Sequence, residues 1–352
     1  MTLTTILCAA VSALFVPQEP KPVPPNPPVV EPAPATSAVR AVPLGGQNAQ
    51  DPVKPAAKAE VFVYDEQADA RQQVTAALAR AKKENRRVLI QWGANWCGWC
   101  KWLAGTMKSD GGLRRKLQYE YDVVHVDVGR FNKHMDLAKD LGAEFKSIPF
   151  LTILDAEGKA LVQQNTEPFE TKVDGKSGHD AKKLVEFLTR HEAKPWHAEE
   201  VLAQGLQRAK EEGKLVFLHF GAPWCIWCHR LEDWMARPEI AQVLGKAFID
   251  VKIDQDRMTQ GKELLATVAT KASAKTGGIP WFTFLDAEGA VRAHSTGPKG
   301  NVGFPSQPEE VEYFGTMLRS AKTALDDTEI AQLVQSLHDN REAQKKAKVG
   351  GD

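Results

Sequence analysis

The residues whose type and spacing most directly permit chemistry are two cysteine pairs, Cys97/Cys100 and Cys225/Cys228. In each pair two residues separate the thiols, and each pair lies where a short apolar run gives way to a helical pattern. A thiol at a helix N-terminus meets unpaired backbone N–H groups and the positive end of the macrodipole, and both favour its thiolate. That environment can bring a cysteine pKa from about 8.5 into the range of roughly 3.5–7.5. A second thiol one turn along is placed to attack the mixed disulfide that the first has formed. Cys97 and Cys225 are therefore the expected nucleophiles, with Cys100 and Cys228 as their resolving partners. The fifth cysteine, Cys8, falls in an apolar N-terminal run. A disulfide-stapled secreted scaffold would spread its cysteines through the chain; concentrating four of them in two pairs favours redox chemistry or metal binding.

The elements that must position these pairs occur twice. Ala81–Leu103 aligns without gaps on Ala209–Leu231 at a shift of 128 residues, with 11 of 23 positions identical. Farther on, Ile148-Pro149-Phe150-Leu151-Thr152 matches Ile279-Pro280-Trp281-Phe282-Thr283 at a shift of 131, followed in both by Asp-Ala-Glu-Gly. A period this long marks a duplicated domain, since solenoid repeats run to about 20–50 residues. In the first copy Val74, Ala77, Leu78 and Ala81 recur at helical spacing, and Asp65 offers an N-cap. Strands are expected at Val88–Ile90, Val123–Asp127 and Phe150–Leu154, a helical stretch at Asp136–Leu141, a hairpin strand near Ala160–Gln163, and a closing helix at Ala181–Arg190. The second copy repeats this order, with a helix at Ala198–Glu212 and strands at Leu215–Phe220, Ala247–Asp254 and Trp281–Leu285. A last helix is expected within Pro308–Leu325, and an additional capped one at Asp327–His338. Arg114, Arg115 and Lys116 read as a solvated helix face.

The segments Gly93-Ala94-Asn95-Trp96-Cys97-Gly98-Trp99-Cys100-Lys101 and Gly221-Ala222-Pro223-Trp224-Cys225-Ile226-Trp227-Cys228-His229 resemble the active-site segment of the thioredoxin superfamily. Their closest likeness is to secreted bacterial thioredoxin-like proteins, near those of periplasmic disulfide reductases. The resemblance covers about Val61 to Arg190 and His197 to Leu325. It implies an α/β architecture of two tandem thioredoxin-like folds, each a central mixed sheet flanked by helices. It also implies that Pro149 and Pro280 are cis-prolines facing the cysteines, and that Ile148 and Ile279 bind an extended substrate segment. Trp96 and Trp224 would form an apolar rim beside the nucleophiles. Two departures stand out. Thioredoxin's buried acid, six residues before the first cysteine, is replaced here by Gln91 and His219. Gln91 cannot titrate. His219 could relay a proton near neutral pH, against the simpler reading of a hydrogen-bonded histidine on a buried strand. The intervening dipeptides, Gly98-Trp99 and Ile226-Trp227, match neither familiar reductants nor familiar oxidants, so redox direction does not transfer.

Two metal-based readings compete. Cys225-Ile226-Trp227-Cys228-His229 fits a c-type haem attachment motif, but the first copy has Lys101 in the histidine's place. Four thiolates would complete a tetrahedral zinc site, yet such pairs are usually about 15–20 residues apart. A third reading keeps both disulfides inert and uses the tandem folds as a protein-binding or chaperone-like scaffold. The favoured expectation is a thiol–disulfide oxidoreductase that needs no cofactor or metal. It would act as a monomer on protein disulfides or thiols, with a redox partner still to be identified.

Composition narrows the remaining classes. The 352 residues carry 45 Lys+Arg and 45 Asp+Glu, so no basic field points to nucleic acid or to an anionic membrane. Residues 1–16 read as a signal peptide, too short for a comfortable membrane span of about 20 apolar residues. The usual positive n-region is missing, since Lys21 is the first basic residue. Residues 17–58, crowded with prolines, read as an extended, disordered tether. The expected domains are then 59–193 and 194–326, with a C-terminal helix and tail over 327–352. Export to the periplasm, cell envelope or exterior follows from the signal reading.

Overall fold

The computed structural model describes residues 62–173 and 175–349. The signal and tether expected over residues 1–58 lie outside the described residues.

The first half begins with α1 (Ala70–Glu84), capped by Asp69, whose carboxylate accepts from Arg71 N and Gln72 N. Asp65, the cap expected from sequence, lies one turn too early and accepts from Gln67 N in the preceding turn. The chain continues through β1 (Arg87–Gly93), α2 (Gly98–Ser109), α3 (Gly111–Glu120), β2 (Tyr121–Asp127), α4 (Met135–Asp140), β3 (Phe150–Leu154) and β4 (Ala160–Asn165). A small hairpin, β5 (Glu170–Val173) and β6 (Lys176–His179), precedes α5 (Ala181–His191). That hairpin had no counterpart in the sequence reading. Its strands are short and polar, without the apolar alternation that marks a half-buried strand.

The second half repeats the plan as α6 (Ala198–Glu212), β7 (Leu215–Gly221), α7 (Ile226–Met235), α8 (Pro238–Ala247), β8 (Phe248–Asp254), α9 (Gly261–Lys271), β9 (Trp281–Leu285) and β10 (Val291–His294). A two-residue ladder of β11 (Thr296–Gly297) and β12 (Gly300–Asn301) leads to α10 (Pro308–Ser320) and α11 (Asp327–Val349). Ala247, expected to open a strand, instead ends α8. The helix expected within Pro308–Leu325 runs from Pro308 to Ser320, and Lys322 just beyond it takes a left-handed conformation. The final helix runs beyond His338 to Val349.

Each half is organised on a four-stranded mixed sheet, in the order β2-β1-β3-β4 and β8-β7-β9-β10. The first two strands in each order are parallel, and the others are antiparallel. The strand before each cysteine pair is central and buried on both faces. Its period of two sorts its residues. Val88, Ile90 and Trp92 join one core with α1, while Leu89 faces the other core with Leu103 of α2. Val216, Leu218 and Phe220 separate from Phe217 in the same way. Gln91 and His219, at the same parity as Leu89 and Phe217, are thus turned toward the face covered by the cysteine-bearing helix.

Ile330, Leu333 and Leu337 of α11 are buried with Phe217, Trp234 and Phe314. Burying each such aliphatic side chain is worth roughly 1.5–3 kcal/mol. The last helix is therefore part of the second core. Among the described residues, no helix is long and apolar enough to cross a membrane.

Candidate active sites

The strand-to-helix turn places each cysteine pair identically. Cys97 and Cys225 are the N-caps of α2 and α7, and each sulfur accepts a hydrogen bond from the amide of the second cysteine at 3.1 Å. Each pair is disulfide-bonded within itself, with Cα atoms 5.3 and 5.2 Å apart. Cys100 and Cys228 are buried under their helices. Ile148-Pro149 and Ile279-Pro280 are both cis. The Ile148 and Ile279 carbonyl oxygens lie 3.6 Å from Cys97 Sγ and Cys225 Sγ. The residues that the sequence brought forward from distant positions thus meet at one point in each half.

Trp96 and Trp224 stand beside Cys97 and Cys225, 51% and 54% exposed. Trp96 Nε1 donates to the Gly129 carbonyl at 2.8 Å, and the Arg130 guanidinium lies 5.4 Å from its ring centroid. Trp224 Nε1 donates instead to Asp256 Oδ2 at 2.8 Å. Burial raises the Asp256 carboxyl, but hydrogen bonds from Trp224, Lys262 and Tyr119 outweigh it and hold the group below the usual carboxylate range.

Behind the second cysteines the halves differ more. In the first, Gln91 Nε2 donates to the Cys100 carbonyl at 3.1 Å and to the Tyr64 hydroxyl at 2.6 Å. Tyr64 is fully buried against the disulfide. Burial, with Asp127 nearby, pushes its hydroxyl well above the ordinary phenol range despite the opposing Gln91 bond, keeping it protonated. Asn95 holds this arrangement. Its Oδ1 accepts from Val63 N and Tyr64 N, each at 3.0 Å, and its Nδ2 donates to Tyr64 O at 2.8 Å. Sequence reasoning missed Tyr64. The available signal was the motif asparagine, since Pro223 in the second copy has no side-chain amide to do the same.

In the second half, His219 is buried and its Nε2 lies 2.9 Å from Asp250 Oδ1. Burial opposes ionisation of Asp250, and His219 followed by Lys83 and Lys252 reverses that, leaving its carboxyl below its ordinary value. The carboxylate near the second cysteine comes from another position. A methyl group added to Gly221 would stand 3.4 Å from Cys228 Sγ and 3.8 Å from Glu232 Oε1. Glu232 Oε2 accepts from Lys252 Nζ at 2.7 Å, while Oε1 is buried without a hydrogen-bond partner. Glu232 was also missed. It follows Cys228 by four residues, one helical turn, which is the spacing that brings two side chains to one helix face.

A family model described as thioredoxin-like matches residues 69–156. A DsbH-type thioredoxin model, described as a protein of unknown function, DUF255, matches residues 179–343. The chain belongs to the thioredoxin superfamily. Human spermatogenesis-associated protein 20 is 30% identical over 92 residues, 26% of this chain and 11% of that protein. Protein disulfide-isomerase erp38 of Neurospora crassa is 27% identical over 251 residues, 68% of this chain and 60% of that protein. A solved disulphide isomerase from Xylella fastidiosa Temecula1 shares 26% identity, with a TM-score of 0.31, covering 37% of this chain and 96% of that one. The chain spans 11–15% of the length of the first curated relatives it matches. Thioredoxin-like halves with Cys-x-x-Cys pairs at disulfide distance are the general apparatus of thiol–disulfide exchange. Among the described residues, no cluster of His, Cys, Asp and Glu could hold a metal ion.

Proposed function

We propose that this chain is a protein thiol–disulfide oxidoreductase in which both cysteine pairs turn over. One observation carries the reading: in each half a helix-capping cysteine lies bridged to a buried partner, 3.6 Å from the carbonyl that precedes a cis-proline. In the reducing direction, the Cys97 or Cys225 thiolate attacks a substrate disulfide. One substrate S–S bond breaks, a mixed disulfide forms, and the departing substrate thiolate takes up a proton. Cys100 or Cys228 then loses its proton and attacks the mixed disulfide, freeing the second substrate thiol and reforming the internal bridge. Two electrons have passed to the substrate, and a dithiol reductant must restore the pair. Oxidation runs the same steps in reverse.

The Ile148 and Ile279 carbonyls offer acceptors to an extended polypeptide beside the sulfurs, in the manner of strand addition. Exposed Trp96, Trp224, Ile226 and Trp227 give that segment an apolar rim. These features support polypeptide substrates over small disulfides. Domains at 59–193 and 194–326 are the units we assign to the two pairs. Export behind residues 1–16 would put the pairs in a compartment where disulfides persist.

Insulin reduction with a dithiol donor tests the reading. Wild-type protein should accelerate reduction, Cys97→Ser and Cys225→Ser should each remove one site's share, and the double variant should be inactive. Absence of reductase, oxidase and isomerase activity in the wild type, with retained binding to unfolded protein, would support the inert scaffold instead.

A further inference from the structure

The second cysteine pair is built against the first half of the chain by two separate sets of contacts. One set reaches its rim. Gln118 Nε2, at the end of α3, donates to the Pro223 carbonyl at 2.9 Å, two residues before Cys225. The neighbouring Tyr119 hydroxyl donates to Asp256 Oδ2 at 3.0 Å, the oxygen that also accepts from Trp224 Nε1. The other set reaches the space behind Cys228. Glu84, the last residue of α1, has Oε1 3.8 Å from Lys252 Nζ, and Lys252 donates to Glu232 beside Cys228. Arg257 fixes the joint between the halves. Its guanidinium donates to the Glu84 and Asn85 carbonyls at 2.6 and 2.8 Å and to Glu120 Oε2 at 3.0 Å.

We propose that the second cysteine pair is a composite site, in which Gln118 and Tyr119 of the first half position its rim and Glu84 sets the charge behind Cys228. The proposal rests on the reading above that this pair exchanges disulfides. Tyr119 acts through Asp256, which has Trp224 on one side and the first half on the other. A rim held in place loses less freedom when a polypeptide docks. The hydroxyl therefore matters for polypeptide disulfides and not for small ones. Glu84 acts through charge. With Lys252 shared between two carboxylates, its positive field at the cysteines is weakened. Removing the Glu84 charge leaves that field less opposed, which favours the thiolate and hence the reduced pair.

The test uses the full chain, with each pair's redox equilibrium against glutathione read separately by differential alkylation and peptide mass mapping. Glu84→Gln should shift the Cys225/Cys228 equilibrium toward the dithiol by about two- to tenfold, with Cys97/Cys100 unchanged. Glu84→Asp, which keeps the charge, should stay near the parent value. In a background lacking Cys97 and Cys100, Gln118→Ala with Tyr119→Phe should raise KM for the disulfides of insulin about fivefold and leave exchange with glutathione within twofold. Melting curves confirm that each variant is folded. Parent-like behaviour in all folded variants, or equal shifts at both pairs, would overturn the composite site. If the parent's second pair fails to exchange with glutathione at all, the functional reading falls first and the composite site with it.

Discussion

The two cysteine pairs share everything the backbone supplies and little of what side chains supply. Both have a helix-capping sulfur, an amide at 3.1 Å and a carbonyl at 3.6 Å. Yet Gly129, whose carbonyl holds Trp96, corresponds to Asp256, whose carboxylate holds Trp224. Arg130, over the Trp96 ring, corresponds to Arg257, which grips the first half. Asn95, which fixes Tyr64 behind the first pair, corresponds to Pro223. Duplication has preserved the backbone geometry around each disulfide and let the side chains around it diverge. The first site is furnished from its own half. The second borrows from its neighbour.

The arginines give the largest contrast. Arg257 has a side chain 8% exposed and serves two helix-end carbonyls and Glu120. Arg257→Ala strands these acceptors and should cost about 3 kcal/mol, within the usual range for breaking a buried charged pair. It should also split a single urea transition into two as the halves come apart. Arg130→Ala loses one exposed cation–π contact and should cost about 0.5–1 kcal/mol, without splitting the transition. Equal costs for the two would break the comparison.

The next contrast lies in the glycines that end β1 and β7. A Cβ on Gly93 would fall 2.1 Å from the Tyr64 hydroxyl and 3.0 Å from Cys100 Sγ. A Cβ on Gly221 would meet Cys228 Cβ at 3.3 Å, a tight contact that a small shift relieves. Gly93→Ala should therefore destabilise by about 2 kcal/mol through overpacking and should move Tyr64, while Gly221→Ala costs about 1 kcal/mol or less. Chemical denaturation of both variants measures the difference. A costly Gly221→Ala beside a neutral Gly93→Ala would show that Tyr64 does not fill the space behind the first pair.

How far this was legible in the sequence follows from the same division. Backbone-borne features repeat in the chain, so the gapless alignment around Cys97 and Cys225 and the two Ile-Pro pairs locate both sites and most strands. Groups arriving from elsewhere carry no repeat to reveal them. Tyr64 lies 33 residues before Cys97 and is brought in by Asn95. Tyr119 and Glu84 belong by sequence to the first half and meet the second only through tertiary contact. The β5–β6 hairpin escaped because short polar strands have no apolar period. The Asp65 cap failed for a local reason: Asp69, four residues on, presents its carboxylate to two free amides of α1.

That hairpin supplies the smallest contrast, and it depends on pH. Trp99 meets Trp102 edge-on, with ring centroids 4.8 Å apart, and meets His179 of β6 in the same way at 5.6 Å. Its counterpart Trp227 lies under Arg230, 4.4 Å from the guanidinium. Burial brings the His179 imidazole from 6.5 down to about 4, and neither ring nitrogen has a hydrogen-bond partner. Above about pH 6.5 the folded and unfolded chains both carry it neutral, so it adds no pH dependence there. As the pH falls from about 6.5 toward 4, the unfolded chain binds the proton first and stability is lost. His179→Phe keeps the edge contacts and removes the proton. Its melting temperature should fall less than the parent's between roughly pH 7 and pH 5, with the redox equilibrium of Cys225/Cys228 unmoved. An identical acid slope in parent and variant would mean that His179 is as readily protonated in the folded chain as in the unfolded one, and that the hairpin leaves it open to water.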